Sequence, residues 1–102
     1  MKIEPETSDL AIWNAARGRW GVASEDGMAI EELAETITAI NHMRRGREGA
    51  TQEFINELAD AVVCNFQIVA MNGLWDQFDV ALTAAFARLD AKLLADDQNH
   101  RG

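Results

Sequence analysis

Two short acidic runs, Glu31-Glu32-Leu33-Ala34-Glu35 and Glu57-Leu58-Ala59-Asp60, place five carboxylates at spacings that a helix turns into matched pairs. At about 100° per residue, Glu32 and Glu35 share one helix face, as do Glu57 and Asp60. Taken alone, the first run also reads as the solvated face of an amphipathic helix. Its apolar stripe is Ile30, Leu33, Ile37 and Ile40, with Glu32 on the edge and Glu31 and Glu35 roughly opposite. The second run carries more weight because its segment is apolar nearly all round. Val62, Phe66 and Val69 occupy one side, while Cys64, Ile68 and Met71 follow Asp60 along the other. A helix of that kind is expected to be buried.

Carboxylates on a buried helix need a counter-charge, since burial without one is costly or drives the carboxyl pKa upward. Arginine can supply it. A metal ion accounts better for two acidic pairs converging from two helices, and an all-oxygen donor set selects Mg²⁺, with Mn²⁺ as a substitute. Di-iron bundles use Glu-x-x-His pairs. Neither His42 nor His100 has that spacing from a glutamate, which disfavours iron.

The elements that must position these acids are helical. The only proline is Pro5, no segment alternates like a strand, and apolar residues recur at helical period, so the expected class is all-α with four helices. The first should start with Thr7 or Ser8 as N-cap and stop within "RGRWG". The second should open at Ser24 and end at Arg45-Gly46, and the third should run from Thr51 to "MNG". The fourth should begin at Leu74 or Trp75, carry a core stripe of Trp75, Phe78, Leu82, Phe86, Leu89 and Leu93, and fade in "ADDQNHRG". The 102 residues suit a single domain, with residues 1–6 and 96–102 expected to fray.

Bulk composition narrows the partners. A formal net charge of −8 argues against a nucleic-acid or anionic-membrane binder, which phosphate would repel. No apolar run was expected to reach the roughly 20 residues that span a bilayer. The single cysteine, Cys64, forms no internal disulfide, and "MKIEPETSDL" lacks the plan of a signal peptide, so a cytoplasmic location is expected.

The pattern Glu31-Glu32-x-x-Glu35, a gap of about twenty residues, and Glu57-x-x-Asp60 resembles the EExxE…ExxD signature of the MazG-like, all-α nucleotide pyrophosphohydrolases. The similarity covers roughly Trp20 to Leu93, including "WGVASEDGMAIEELAETITAINHMRRGRE". The resemblance implies a four-helix domain whose two central helices carry the acids and form the core of a homodimer or homotetramer. It implies Mg²⁺-dependent cleavage of nucleoside triphosphates to monophosphate and pyrophosphate. Carried over, Glu32, Glu35, Glu57 and Asp60 would be metal ligands, and Glu31 would assist, through a second metal or by orienting the attacking water, with Glu31 and Glu35 as the catalytic candidates. A related enzyme for dUTP or phosphoribosyl-ATP, and a non-catalytic helical interaction module, are the competing readings.

Substrate contacts are harder to place. The family's last helix often supplies basic residues, and here it offers only Arg88 and Lys92. Arg44, Arg45 and Arg47 form the densest basic cluster, which either meets the triphosphate or complements a helix C-terminus. His42 lies two turns beyond Glu35 on nearly the same side, and Trp20 is a candidate for stacking on a base. Trp13 is expected in the core, Cys64 as a small buried hydrophobe, and Asn65 as an amide that must find partners, first across a dimer interface.

Overall fold

The computed structural model describes residues 5–100, except for the side chain of His100. All four expected helices are present, and the described residues contain no strand: α1 (Thr7–Trp20), α2 (Val22–Arg44), α3 (Ala50–Met71) and α4 (Trp75–His100). Two compact units result, one holding α1 to α3 over residues 5–72, the other holding α4.

Helix starts differ from the sequence expectation. Glu6 caps α1 in place of Thr7 or Ser8, and its backbone N–H donates to Asp9 Oδ2 at 2.9 Å. α2 begins at Val22, so Ser24 lies inside the helix. Gly21 allows this by adopting φ 92°, a region closed to most side chains, which lets α2 start one residue after α1 ends. Gly49 at φ 75° precedes α3, and Gly73 at φ 67° provides the turn into α4. α4 continues as helix through His100. The remaining residues expected to fray, 1–4 and 101–102, lie outside the described residues.

α2 and α3 form an antiparallel hairpin, the most extensive helix contact in the chain, and α1 packs on both. Four cross-links give the register: Gln67 with Glu25, Asn65 with the Ala29 carbonyl, Thr36 with the Glu57 carbonyl, and His42 with Glu53. The contact face of α2 is Ala29, Glu32, Thr36 and Ala39, and α3 meets it with Ala50, Glu57 and Ala61. Small residues let the helices approach closely. Thr36 serves both, its hydroxyl donating to Glu32 O at 2.8 Å and to Glu57 O at 3.2 Å.

This register overturns the expected packing face. Ile30 (69% exposed), Leu33, Ile37 (63%) and Ile40 do not bind α2 to α3; they stand about 100° round the helix from the contact. α3 is likewise not enclosed by its own chain. Ile55, Leu58, Val62 and Val63 are exposed, and its buried residues are only Ala50, Ala61 and Gln67. Because the helices are antiparallel, the stripe of α2 and the Ile55-Leu58-Val62 stripe of α3 turn to the same side, while Glu35 and Asp60 turn to the other. α1 sits at one end of the apolar side, where Arg17 donates to Asp26, one turn before Ile30. Trp13 is buried there as expected.

α3 also corrects the expectation about length and hydropathy: its 22 residues include an 18-residue window of mean hydropathy 1.3, enough by those two measures to cross a bilayer. Glu57 and Asp60 in its middle would be expensive in hydrocarbon, and the helix instead aligns Glu57 with Glu32 of α2. In the second unit, Trp75, Phe78 and Leu82 are partly buried, with the rings of Trp75 and Phe78 5.6 Å apart. Phe86, Leu89 and Leu93 of the expected core stripe are exposed.

The α2–α3 contact rests on residues with no spare volume. Ala39 has no exposed surface, so Ala39→Leu should overpack the hairpin and cost about 1–3 kcal/mol. Urea unfolding at fixed protein concentration checks this, with Ala34→Leu on the exposed side expected to change stability little.

Candidate metal centre

The hairpin register sets the acids opposite one another. Glu32 and Glu35 lie one turn apart on α2, and Glu57 faces them from α3, so that one carboxylate oxygen of each lies within 4.8 Å of the others. Glu32 and Glu57 are half-buried and Glu35 is exposed, which gives the cluster a solvent-facing rim. Oε2 of Glu32 and Oε2 of Glu57 are buried without a hydrogen-bond partner. Among the described residues, the side-chain ion pairs are Arg17–Asp26 and His42–Glu53, and neither neutralises this cluster.

Such crowding appears in the proton affinities. The Glu57 carboxyl is pushed up to about 7, chiefly by sharing a hydrogen bond with Glu35, then by burial and by the charges of Glu35 and Glu32. Glu32 is raised by burial first, then by the charges of Glu35 and Asp60. Cys64 lies close enough to be affected: burial raises its thiol, helped by Glu32, Glu25 and Asp60, so it is a poor nucleophile.

The residues fit a hard divalent cation. Three carboxylates converge, two of their buried oxygens have no partner, and among the described residues no sulfur joins the cluster and no arginine forms an ion pair with it. Asp60 is exposed and stands outside the 4.8 Å set, although its charge is felt at Glu32. Glu31 is exposed and outside the set, since it points from the outer side of α2.

Other expected contacts are dispersed. His42 Nδ1 lies 3.0 and 3.1 Å from the two carboxylate oxygens of Glu53, a partner that sequence reasoning missed. Only the antiparallel register brings these residues together, although Glu53 stands one turn before Glu57 on the same face. Arg44, Arg45 and Arg47 are exposed at the hairpin turn. Trp20 is 61% exposed, with the Arg19 guanidinium 5.6 Å from its ring centroid. Arg88 and Lys92 are exposed on α4, in the separate unit. Asn65 needs no second chain: its amide donates to Ala61 O at 2.8 Å and Ala29 O at 3.5 Å.

No family model matches this chain, and no curated protein or solved structure matches it significantly. The site is therefore defined by its own geometry: an all-helical hairpin with a carboxylate cluster suited to a divalent cation.

The raised Glu57 pKa fixes the sign of a pH effect. The unfolded chain ionises this group near 4.5 and the folded chain near 7, so the folded state holds the extra proton between those values. Stability of the metal-free protein should fall as pH rises from about 4.5 to about 7, with Glu57→Gln flattening that slope. Mg²⁺ should restore it, seen as a higher melting temperature at pH 7 than at pH 5 relative to the metal-free protein. Scanning calorimetry across this range checks both effects, and an unchanged melting temperature in millimolar Mg²⁺ would count against a cation site.

Proposed function

We propose that this protein is a Mg²⁺-dependent nucleoside triphosphate pyrophosphohydrolase, cleaving between the α- and β-phosphates to give a nucleoside monophosphate and pyrophosphate. The observation that carries the reading is the convergence of Glu32, Glu35 and Glu57 from two helices with two buried carboxylate oxygens unsatisfied. The resemblance of Glu31-Glu32-x-x-Glu35 and Glu57-x-x-Asp60 to the MazG-like signature adds the reaction class.

Glu32, Glu35 and Glu57 would hold the ion, with Asp60 beside them on the same side of the hairpin. A bound Mg²⁺ would neutralise phosphate charge and make the attacking water easier to deprotonate. Glu35, at the exposed rim, orients that water and accepts its proton, and Glu31 assists from one turn earlier. Water oxygen bonds to the α-phosphorus, the bond to the bridging oxygen breaks, and pyrophosphate leaves with that bond's electron pair. The buried carboxylates mainly hold the reactants in place.

Assembly belongs to the same proposal. Among the described residues no large side chain is fully buried, and Ile30, Leu33, Ile37, Ile55, Leu58 and Val62 leave a continuous apolar stripe exposed on one side of the hairpin. A second copy packed there would form a homodimer, and further contacts a homotetramer. The acids lie on the other side of the hairpin and stay open to substrate. A non-catalytic interaction module would keep the apolar side without turnover.

Incubating the protein with each NTP and dNTP plus Mg²⁺ or Mn²⁺ should release pyrophosphate. Orthophosphate alone would contradict α–β cleavage, and no release with any nucleotide would favour the interaction module. Glu35→Gln and Asp60→Asn should each lower kcat by roughly a hundredfold or more with helicity intact. Full activity in both would sink the assignment. Ile37→Asp should reduce the mass measured by light scattering; a wild-type monomer would remove the interface.

A further inference from the structure

The acid-bearing side of the hairpin continues beyond the carboxylate cluster. His42 lies seven residues past Glu35 on nearly the same face of α2, about 10 Å along the axis, and Glu53 lies one turn, about 6 Å, before Glu57 on α3. The two meet: both Glu53 carboxylate oxygens are within 3.1 Å of His42 Nδ1. A carboxylate held there keeps a proton on Nδ1 and fixes the ring, leaving Nε2 without a partner among the described residues. The His42 side chain is partly exposed, so a ligand can reach the ring.

Directly beyond this pair the chain turns through Arg44, Arg45, Gly46 and Arg47, and the backbone N–H of Arg47 donates to His42 O at 3.2 Å. The arginines are thereby tied to the histidine end of the hairpin. At the other end, beyond Glu32, stand Glu25 and the buried Gln67 amide, 3.0 Å apart, and the nearby Arg17 is committed to Asp26 on the apolar side. The acid-bearing side is polarised, with arginines and a partly exposed imidazole past one end of the cluster and the Glu25 carboxylate with its Gln67 amide past the other.

We propose that this polarity sets the direction in which the triphosphate lies: its terminal phosphate reaches His42 Nε2 and the Arg44–Arg47 turn, and its nucleoside points toward Glu25 and Gln67. Glu53 is then a positioning residue acting through His42, and the pair selects triphosphates over shorter phosphates. His42 is too far along the hairpin for the scissile phosphate held at the acids, and within reach of the far end of the chain. This inference rests on the proposed activity and names the specificity device of the same site.

Two experiments separate its failure from failure of that activity. The chain has two histidines, His42 and His100, so imidazole NMR signals are assignable with His42→Ala. Inorganic triphosphate with Mg²⁺ should shift the His42 signal and leave His100 in place, whereas a nucleoside monophosphate with Mg²⁺ should shift neither. A silent His42, or an equal shift with the monophosphate, overturns the assigned direction whether or not the protein turns over. In kinetics, His42→Ala and Glu53→Ala should raise KM for triphosphates about tenfold, the loss of one charge-assisted contact, with little change for diphosphates. Glu53→Gln, which still accepts from Nδ1, should recover most of this. Equal losses on both substrates, or no rescue, would leave Glu53 a structural residue and overturn the proposal; absence of all hydrolysis alongside a normal His42 shift would overturn the activity and keep the anion contact.

Discussion

The constraint on which the rest depends is the packing of carboxylates into the α2–α3 contact without a protein counter-charge. Glu32 occupies a position on α2 that alanine or threonine fills one turn to either side, and Glu57 answers it from α3. Replacing both by apolar residues would make a simpler hairpin. Keeping them leaves two buried oxygens unsatisfied and a carboxyl raised to about 7, an arrangement that a bound divalent cation relieves. The hairpin itself is then held by small side chains, by Thr36 bridging both backbones, and by the polar cross-links Gln67–Glu25 and His42–Glu53 toward its ends.

Committing the inner face to acids and alanines displaces the large aliphatic side chains. Ile30, Leu33 and Ile37 of α2 and Ile55, Leu58 and Val62 of α3 are left on one outward side. The hairpin thus carries its carboxylates on one side and its exposed aliphatic side chains on the opposite side. Each helix therefore has three faces with different tasks, which explains why α3 is apolar enough to resemble a membrane span while carrying Glu57 and Asp60.

The number and order of helices were legible because Gly21, Gly46, Gly49 and Gly73 punctuate a chain that otherwise follows a helical period. Ser24 does not cap α2 because Gly21, by taking a positive φ, allows the helix to begin already at Val22. The pairing of Glu32 and Glu35 with Glu57 followed from the repeated Glu-Leu-Ala-acid pattern. The face that packs does not follow from it, because the most hydrophobic stripe of α2 faces outward and hydropathy carries no information about which partner covers it.

The sequence by itself determined the all-helical class and the helix count, since helical spacing and glycine punctuation are local properties. Only the tertiary structure decided the register of α3 against α2, which separates Asp60 and Glu31 from the 4.8 Å cluster, joins His42 to Glu53 and satisfies Asn65 within one chain. The reason is physical: a helix presents all its faces at once, and which face becomes the interface is set by how closely two backbones can approach. Here alanines at positions 29, 39, 50 and 61 allow the closest approach.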